Sequence, residues 1–94
     1  MVNGILIDER DNVAVVLKPM EKQELIRYMQ REIADTVRVL DDIPIYHKIA
    51  FRGIAKGTYV IKYGEIIGIA METIRRGQHV HIHNIESTKK NEGE

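Results

Sequence analysis

Ninety-four residues, 44 % hydrophobic and 30 % charged, describe one globular domain, large enough for a core and too small to enclose an elaborate active site unaided. Fourteen basic residues balance fourteen acidic ones and aromatic residues are scarce, so the chain offers nucleic acid neither an attracting field nor a stacking surface. Cysteine is absent, which removes disulfides and thiol chemistry, and no run approaches the ~18 apolar residues of a membrane span.

The opening MVNGILIDERD lacks the basic-then-apolar layout of a signal peptide, so a cytoplasmic location is expected. Short apolar runs rich in β-branched residues then predict strands at GILI (4–7), NVAVVL (12–17), TVRVL (36–40), HKIAFR (47–52), TYVIKY (58–63), EIIGIAM (65–71) and HVHIHNI (79–85). Gly, Pro and Asp-Asn punctuation separates them at the spacing of a compact antiparallel or barrel-like protein, and no internal repeat is evident. One segment breaks the pattern. Residues 21–34 are strong helix formers with Leu25, Ile26, Met29 and Ile33 at helical spacing, and predict one amphipathic helix whose apolar stripe packs on the sheet. The expected organisation is a single domain over 1–86 followed by a polar, flexible tail, STKKNEGE, over 87–94.

Three features carry chemistry. In HVHIHN, strand alternation puts His79, His81 and His83 on one face and Val80, Ile82 and Asn84 on the other. Imidazoles two residues apart can converge on a divalent cation, but they make half a site, with His47, Glu65, Glu72 or Asp42 as candidates to complete it. A solvated strand face is the competing reading. In DDIPIYHKIAFRG, His47 and Lys48 follow a Pro-containing turn and enter a strand, where His47 could exchange protons and Lys48 or Arg52 bind a carboxylate, or where both are simply a polar loop. In VIKYGEIIG, Gly64 permits a tight turn, with Lys62 and Tyr63 either substrate contacts or ordinary surface residues.

Taken in order, DNVAVVL and DIPIYHKIAFRGIAKGTYVIKYGEIIGIAMETIRRGQHVHIHNIE resemble the SAF domain at the start of altronate and galactarate dehydratases, and the free-standing small subunit of sulfolactate sulfo-lyase. The resemblance covers about three-quarters of the chain and rests on HK before an apolar strand, KYGEIIG and above all HVHIHN. It implies a mainly β, β-clip-type fold of short curved strands. It also implies a role beside a larger lyase portion that removes water or sulfite from a sugar acid, related hydroxy acid or sulfolactate-type substrate, with a divalent metal such as iron or manganese.

Carried onto this chain, the family pattern falls on His47 and Lys48, on Lys62, Tyr63 and Gly64, and on His81, His83 and Asn84, with His79 beside it. The resemblance thus implies His47 and Lys48 as catalytic candidates and Lys48, Lys62, Tyr63 and Asn84 for substrate. His81 and His83, with His79 as a further candidate, fall to the metal. Two departures stand out: Tyr46 replaces the usual turn glycine before HK, and the helix-forming stretch occupies a place where a looser connection is usual. The large lyase portion is expected as a separate polypeptide, with the metal bound in the chain alone or only in the complex, and with homo-oligomerisation left open. The rival readings are a stand-alone SAF-type binding module for a sugar acid or metal, without catalysis, and an orphan sensor descended from such a subunit.

Overall fold

A computed structural model describes residues 4–6, 8–30 and 33–87. The described residues form strands β1 (Gly4–Ile5), β2 (Val13–Val16), β3 (Leu25–Gln30), β4 (Ile33–Arg38), β5 (Lys48–Ala50), β6 (Tyr59–Lys62), β7 (Glu65–Ala70), β8 (His79–Val80) and β9 (Ile85–Ser87). They make a six-stranded sheet in the order β4-β3-β1-β2-β5-β8 and a three-stranded sheet in the order β6-β7-β9. Pairing is antiparallel except between β1 and β3. The expectation of a mainly β fold therefore holds, and no helix long and apolar enough to cross a membrane occurs among the described residues. The tail predicted from residue 87 lies outside the described residues, apart from Ser87, which closes β9.

β2 explains why two sheets form one body. Its four residues are all buried, as a continuous apolar run predicts for a strand covered on both faces. Ala14 and Val16 face a core with Leu6, Met20, Ile26, Tyr28, Val37 and Ile49, whereas Val13 faces a second with Ala50, Ile54, Val60, Ile74 and Val80. The neighbouring strand β5 divides in the same way, Ile49 into the first core and Ala50 into the second. The wall between the cores is thus the pair β2 and β5, and the site described below grows from the end of β5.

The predicted helix over 21–34 is replaced by a turn and the β3–β4 hairpin. Two physical reasons decide it. Ile26 and Tyr28 are buried at 0 % and 5 % exposure while Leu25 and Met29 stay 52 % and 39 % exposed, a period of two. Helix propensities among ordinary residues differ by at most ~0.7 kcal/mol each, against ~1.5–3 kcal/mol for burying each large side chain in the first core. In addition, Gln23 adopts φ 77°, which no helix continues through.

A repeat invisible in the letters organises the turns. Glu21–Glu24, Pro44–His47, Ala55–Thr58 and Arg75–Gln78 each close with the N–H of the fourth residue on the carbonyl of the first, at 3.0–3.1 Å. The third residue of each, Gln23, Tyr46, Gly57 or Gly77, has φ between 67° and 97°, as a type II turn requires. Immediately before each turn stands a buried residue, Met20, Ile43, Ile54 or Ile74, and these pair as the bridges Met20–Ile43 and Ile54–Ile74. Two residues after each turn stands another, Ile26, Ile49, Val60 or Val80. The shared pattern is two buried positions six apart around a turn, too sparse to register as sequence similarity.

Candidate functional site

The second and fourth of these turns bring the histidines together. In the first, third and fourth turns the fourth residue closes the turn with its side chain: Glu24 Oε1 accepts from the Glu21 N–H at 2.7 Å, Thr58 Oγ1 donates to the Ala55 carbonyl at 2.7 Å, and Gln78 Oε1 accepts from the Arg75 N–H at 2.5 Å. His47 holds the same position in the second turn and points elsewhere. Its Nδ1 lies 2.9 Å from His79 Nε2, one ring donating to the other. β5 and β8 set this meeting, because their antiparallel register places Ile49 opposite His79 and Lys48 opposite Val80.

The expected strand over 79–85 is broken after Val80, and the break completes the cluster. Residues 81–84 turn, and the chain resumes as β9 in the other sheet. Asn84, 3 % exposed, builds this turn: Oδ1 accepts from the His81 N–H at 3.0 Å and Nδ2 donates to the His79 carbonyl at 2.8 Å. Its own N–H and that of Ile85 reach the His81 carbonyl. Ile82, expected to pack inward with Val80, is instead 80 % exposed at the turn. The side-chain amide of Asn84 at the end of an alternating run was the available signal for such a turn.

The His47 and His81 rings stack with centroids 4.1 Å apart, and His79 lies 5.1 Å from His47 and 5.7 Å from His81. One ligand nitrogen from each of His47, His79 and His81 falls within 4.8 Å of the other two. His83 is exposed, its ring 5.0 Å from that of His79. The buried Nδ1 of His81 has no hydrogen-bond partner among the described residues. Such an orphan is costly unless something outside the protein chain engages it. Asp41, which the sequence reading passed over for Asp42, accepts the His79 N–H at 2.9 Å and so pins β8 from behind. Asp42 instead accepts from the Lys22 N–H, and Glu65 and Glu72 lie outside the cluster.

The electrostatics favour neutral imidazoles. Burial, then the neighbouring His83, His47 and His81, push His79 down to about 4 against a small opposing pull from Asp41. His81 is lowered by burial, then by His47, Lys48 and His83. Near pH 7 both rings therefore keep a free lone pair, the form in which histidine ligates metals.

Beside the rings, half-buried Lys48 has its pKa lowered by burial and then by the charge of Lys62. Lys62 also lies 5.1 Å over the Tyr63 ring. Tyr63 (φ 54°) and Gly64 (φ 77°) form the two-residue turn between β6 and β7, as expected for a hairpin with both central residues left-handed. Gly64 donates its N–H to Oδ1 of the fully buried Asp11 at 2.8 Å, and Asp11 Oδ2 also accepts the Asp8 N–H, so the turn is anchored on the β1–β2 loop. The structure thus brings together His47, Lys48, Lys62, His79, His81 and His83, with Tyr63 beneath Lys62 and Asn84 beneath the histidine turn. Arg52 lies with its guanidinium 4.7 Å over the Phe51 ring.

With this geometry established, comparison with known proteins is decisive. Residues 2–88 match the profile of the altronate/galactarate dehydratase SAF domain. The chain belongs to that family. It is 36 % identical over 93 residues to the (2R)-sulfolactate sulfo-lyase subunit alpha of Chromohalobacter salexigens, an alignment covering 94 % of this chain and 97 % of that protein. It is 34 % identical over 87 residues to the altronate dehydratase of Bacillus subtilis and 41 % identical over 80 residues to that of Escherichia coli. Those two alignments cover 93 % and 85 % of this chain but only 17 % and 15 % of the dehydratases. This SAF domain therefore matches a subunit almost end to end and two enzymes over a small fraction of their length.

Proposed function

We propose that this SAF domain acts as the small subunit of a lyase, contributing an imidazole-lined metal site and a pair of lysines to a reaction completed by a larger lyase chain. The observation that carries the reading is the convergence of His47, His79 and His81, one of which, His81, has a buried Nδ1 with no hydrogen-bond partner among the described residues. Three imidazoles suit a divalent ion such as iron or, less strongly, manganese, with exposed His83 available as a further donor. When bound, such an ion supplies positive charge to the enediolate-like oxygen that develops as a proton leaves the carbon beside a carboxylate.

The chain's own residues account for the rest. Lys48 and Lys62 present two ammonium groups beside the histidines and suit the carboxylate or sulfonate of a hydroxy acid or sulfolactate-type substrate. Burial and Lys62 both lower the Lys48 pKa, so its ammonium, the form that binds an anion, gives up its proton more readily than an ordinary lysine, and the amine so formed can take up the proton that leaves the substrate carbon. In the elimination the C–H pair becomes the new C=C bond while the C–O or C–S bond breaks, releasing water or sulfite. His47, already hydrogen-bonded to His79, serves better as a ligand than as an independent base. Asn84 uses both ends of its side-chain amide on the backbone of His81 and His79, which suits a positioning residue.

The test is metal binding. Titration of the isolated chain with Mn(II), and metal content of the assembled complex, should both fall on His79→Ala and on His81→Ala while circular dichroism stays unchanged. Undiminished metal retention and turnover in both variants would remove the reading.

A further inference from the structure

Two residues beside the histidine cluster occupy positions that local physics disfavours. Tyr46 has φ 67° at the third place of its turn and is 69 % exposed. Left-handed backbone strains any residue with a Cβ, and glycine fills the same place in two of the sister turns, Gly57 and Gly77. Its ring is too exposed to recover that cost by packing within the chain. Ile82 is 80 % exposed at the tip of a turn that Asn84 holds rigidly, so it cannot fold inward. Each is the chain neighbour of one member of the stacked His47–His81 pair, and Ile45, 41 % exposed, adjoins Tyr46. An apolar rim thus borders a centre of imidazole and ammonium groups.

We propose that Tyr46 and Ile82, with Ile45, are the anchors on which the larger lyase chain docks, placing a carboxylate-bearing surface of that chain over the histidines and lysines and closing the site. The proposal rests on the subunit reading above and specifies its interface. Three observations select this occupant. Lys48 and Lys62 give one side of the centre positive charge and the nearby carboxylate of Asp41 is turned to the backbone N–H of His79, so carboxylates of the larger chain would complement that charge. The same domain matches a protein called a subunit nearly end to end and a small part of longer dehydratases, so in both settings it has further polypeptide to meet. A large aromatic and an aliphatic residue around a polar centre also match the make-up of interface anchors.

The experiment places a photo-crosslinking amino acid at position 46, at position 82 and, as controls, at Leu25 and Met29 on the exposed face of β3, in the full chain expressed in its native host. Mass spectrometry then identifies the cross-linked peptides. The expected result is cross-links from 46 and 82, and not from 25 or 29, to one larger chain of lyase sequence. Tyr46→Gly and Ile82→Ser should each weaken that complex tenfold or more while leaving Mn(II) binding by the isolated chain unchanged. Cross-links to the lyase chain from 25 or 29 alone would overturn the docking face and leave the subunit reading standing. Cross-links from 46 and 82 only to a second copy of this chain, or to proteins without lyase sequence, would overturn both.

Discussion

Replacing Asn84 by alanine tests whether one buried amide holds the histidine site together. The change removes the bond to the His81 N–H at 3.0 Å and the bond to the His79 carbonyl at 2.8 Å, and leaves both part-buried backbone groups without that partner. At ~1–2 kcal/mol for each group left unsatisfied, the loss is about 2–4 kcal/mol. In a domain of this size that lowers Tm by about 8–30 °C. The turn also sets the angle of His81 to His47, so metal affinity should fall at least tenfold although Asn84 is no ligand. Asn84→Asp sharpens the comparison: it keeps the acceptor for His81 but sets an oxygen against the His79 carbonyl, so it too should destabilise. Differential scanning fluorimetry and Mn(II) titration read the two effects. A Tm within about 3 °C of the parent chain, or unaltered metal affinity, would refute the argument that this amide organises the site.

Lys48→Ala in the assembled enzyme should raise KM about tenfold or more, the loss of one charge-assisted contact to an anionic group, with circular dichroism unchanged; an unaltered KM would count against the anion-binding role. The pH dependence follows from His79, whose folded pKa of about 4 lies below the unfolded value of about 6.5. Its contribution is complete above about pH 6.5 and is lost as pH falls towards 4, because the unfolded chain then takes up a proton that the folded ring refuses. Discounted for partial solvation of the ring, the loss is about 1–2 kcal/mol, measurable as the difference in urea midpoints between the metal-free chain and His79→Gln at pH 7 and pH 4.5. Gly77→Ala should cost about 3 kcal/mol or more, since a Cβ at φ 97° would overlap the Arg38 carbonyl oxygen and press on Leu40. Gly57→Ala, at the same place in a turn with open space around it, should cost only the left-handed penalty of about 1–2 kcal/mol, and equal losses at the two sites would refute the packing argument.

Much of the fold was legible because the strands announce themselves locally. NVAVVL is apolar on both faces, and β2 is buried on both faces; KYGE contains a tight turn, and Tyr63-Gly64 makes it. The helix over 21–34 was misread because Glu, Lys, Gln, Leu and Met favour helix by small increments that Ile26 and Tyr28 override once a core exists to receive them. The strand over 79–85 was read too long because alternation cannot reveal that Asn84 will turn its amide back onto the chain. Of the site, the residue types were visible, but not the membership of the cluster. His47 and His79 are 32 residues apart, and only the β5–β8 register brings their nitrogens to 2.9 Å.

The sequence by itself determined the chemistry available to this protein: imidazole and ammonium groups, no thiols, balanced charge, and short β-forming runs cut by turns. Those properties are local, set by side-chain type and by backbone preference over a few residues. The tertiary structure alone decided which of these groups meet. Pairing β5 with β8 puts His47 against His79, the Asn84 turn swings His81 over His47, and Asp11 fixes the β6–β7 turn that follows Lys62. The reason is physical: a contact between residues distant in sequence depends on the register and burial of every element between them, and those are fixed only when both cores form at once.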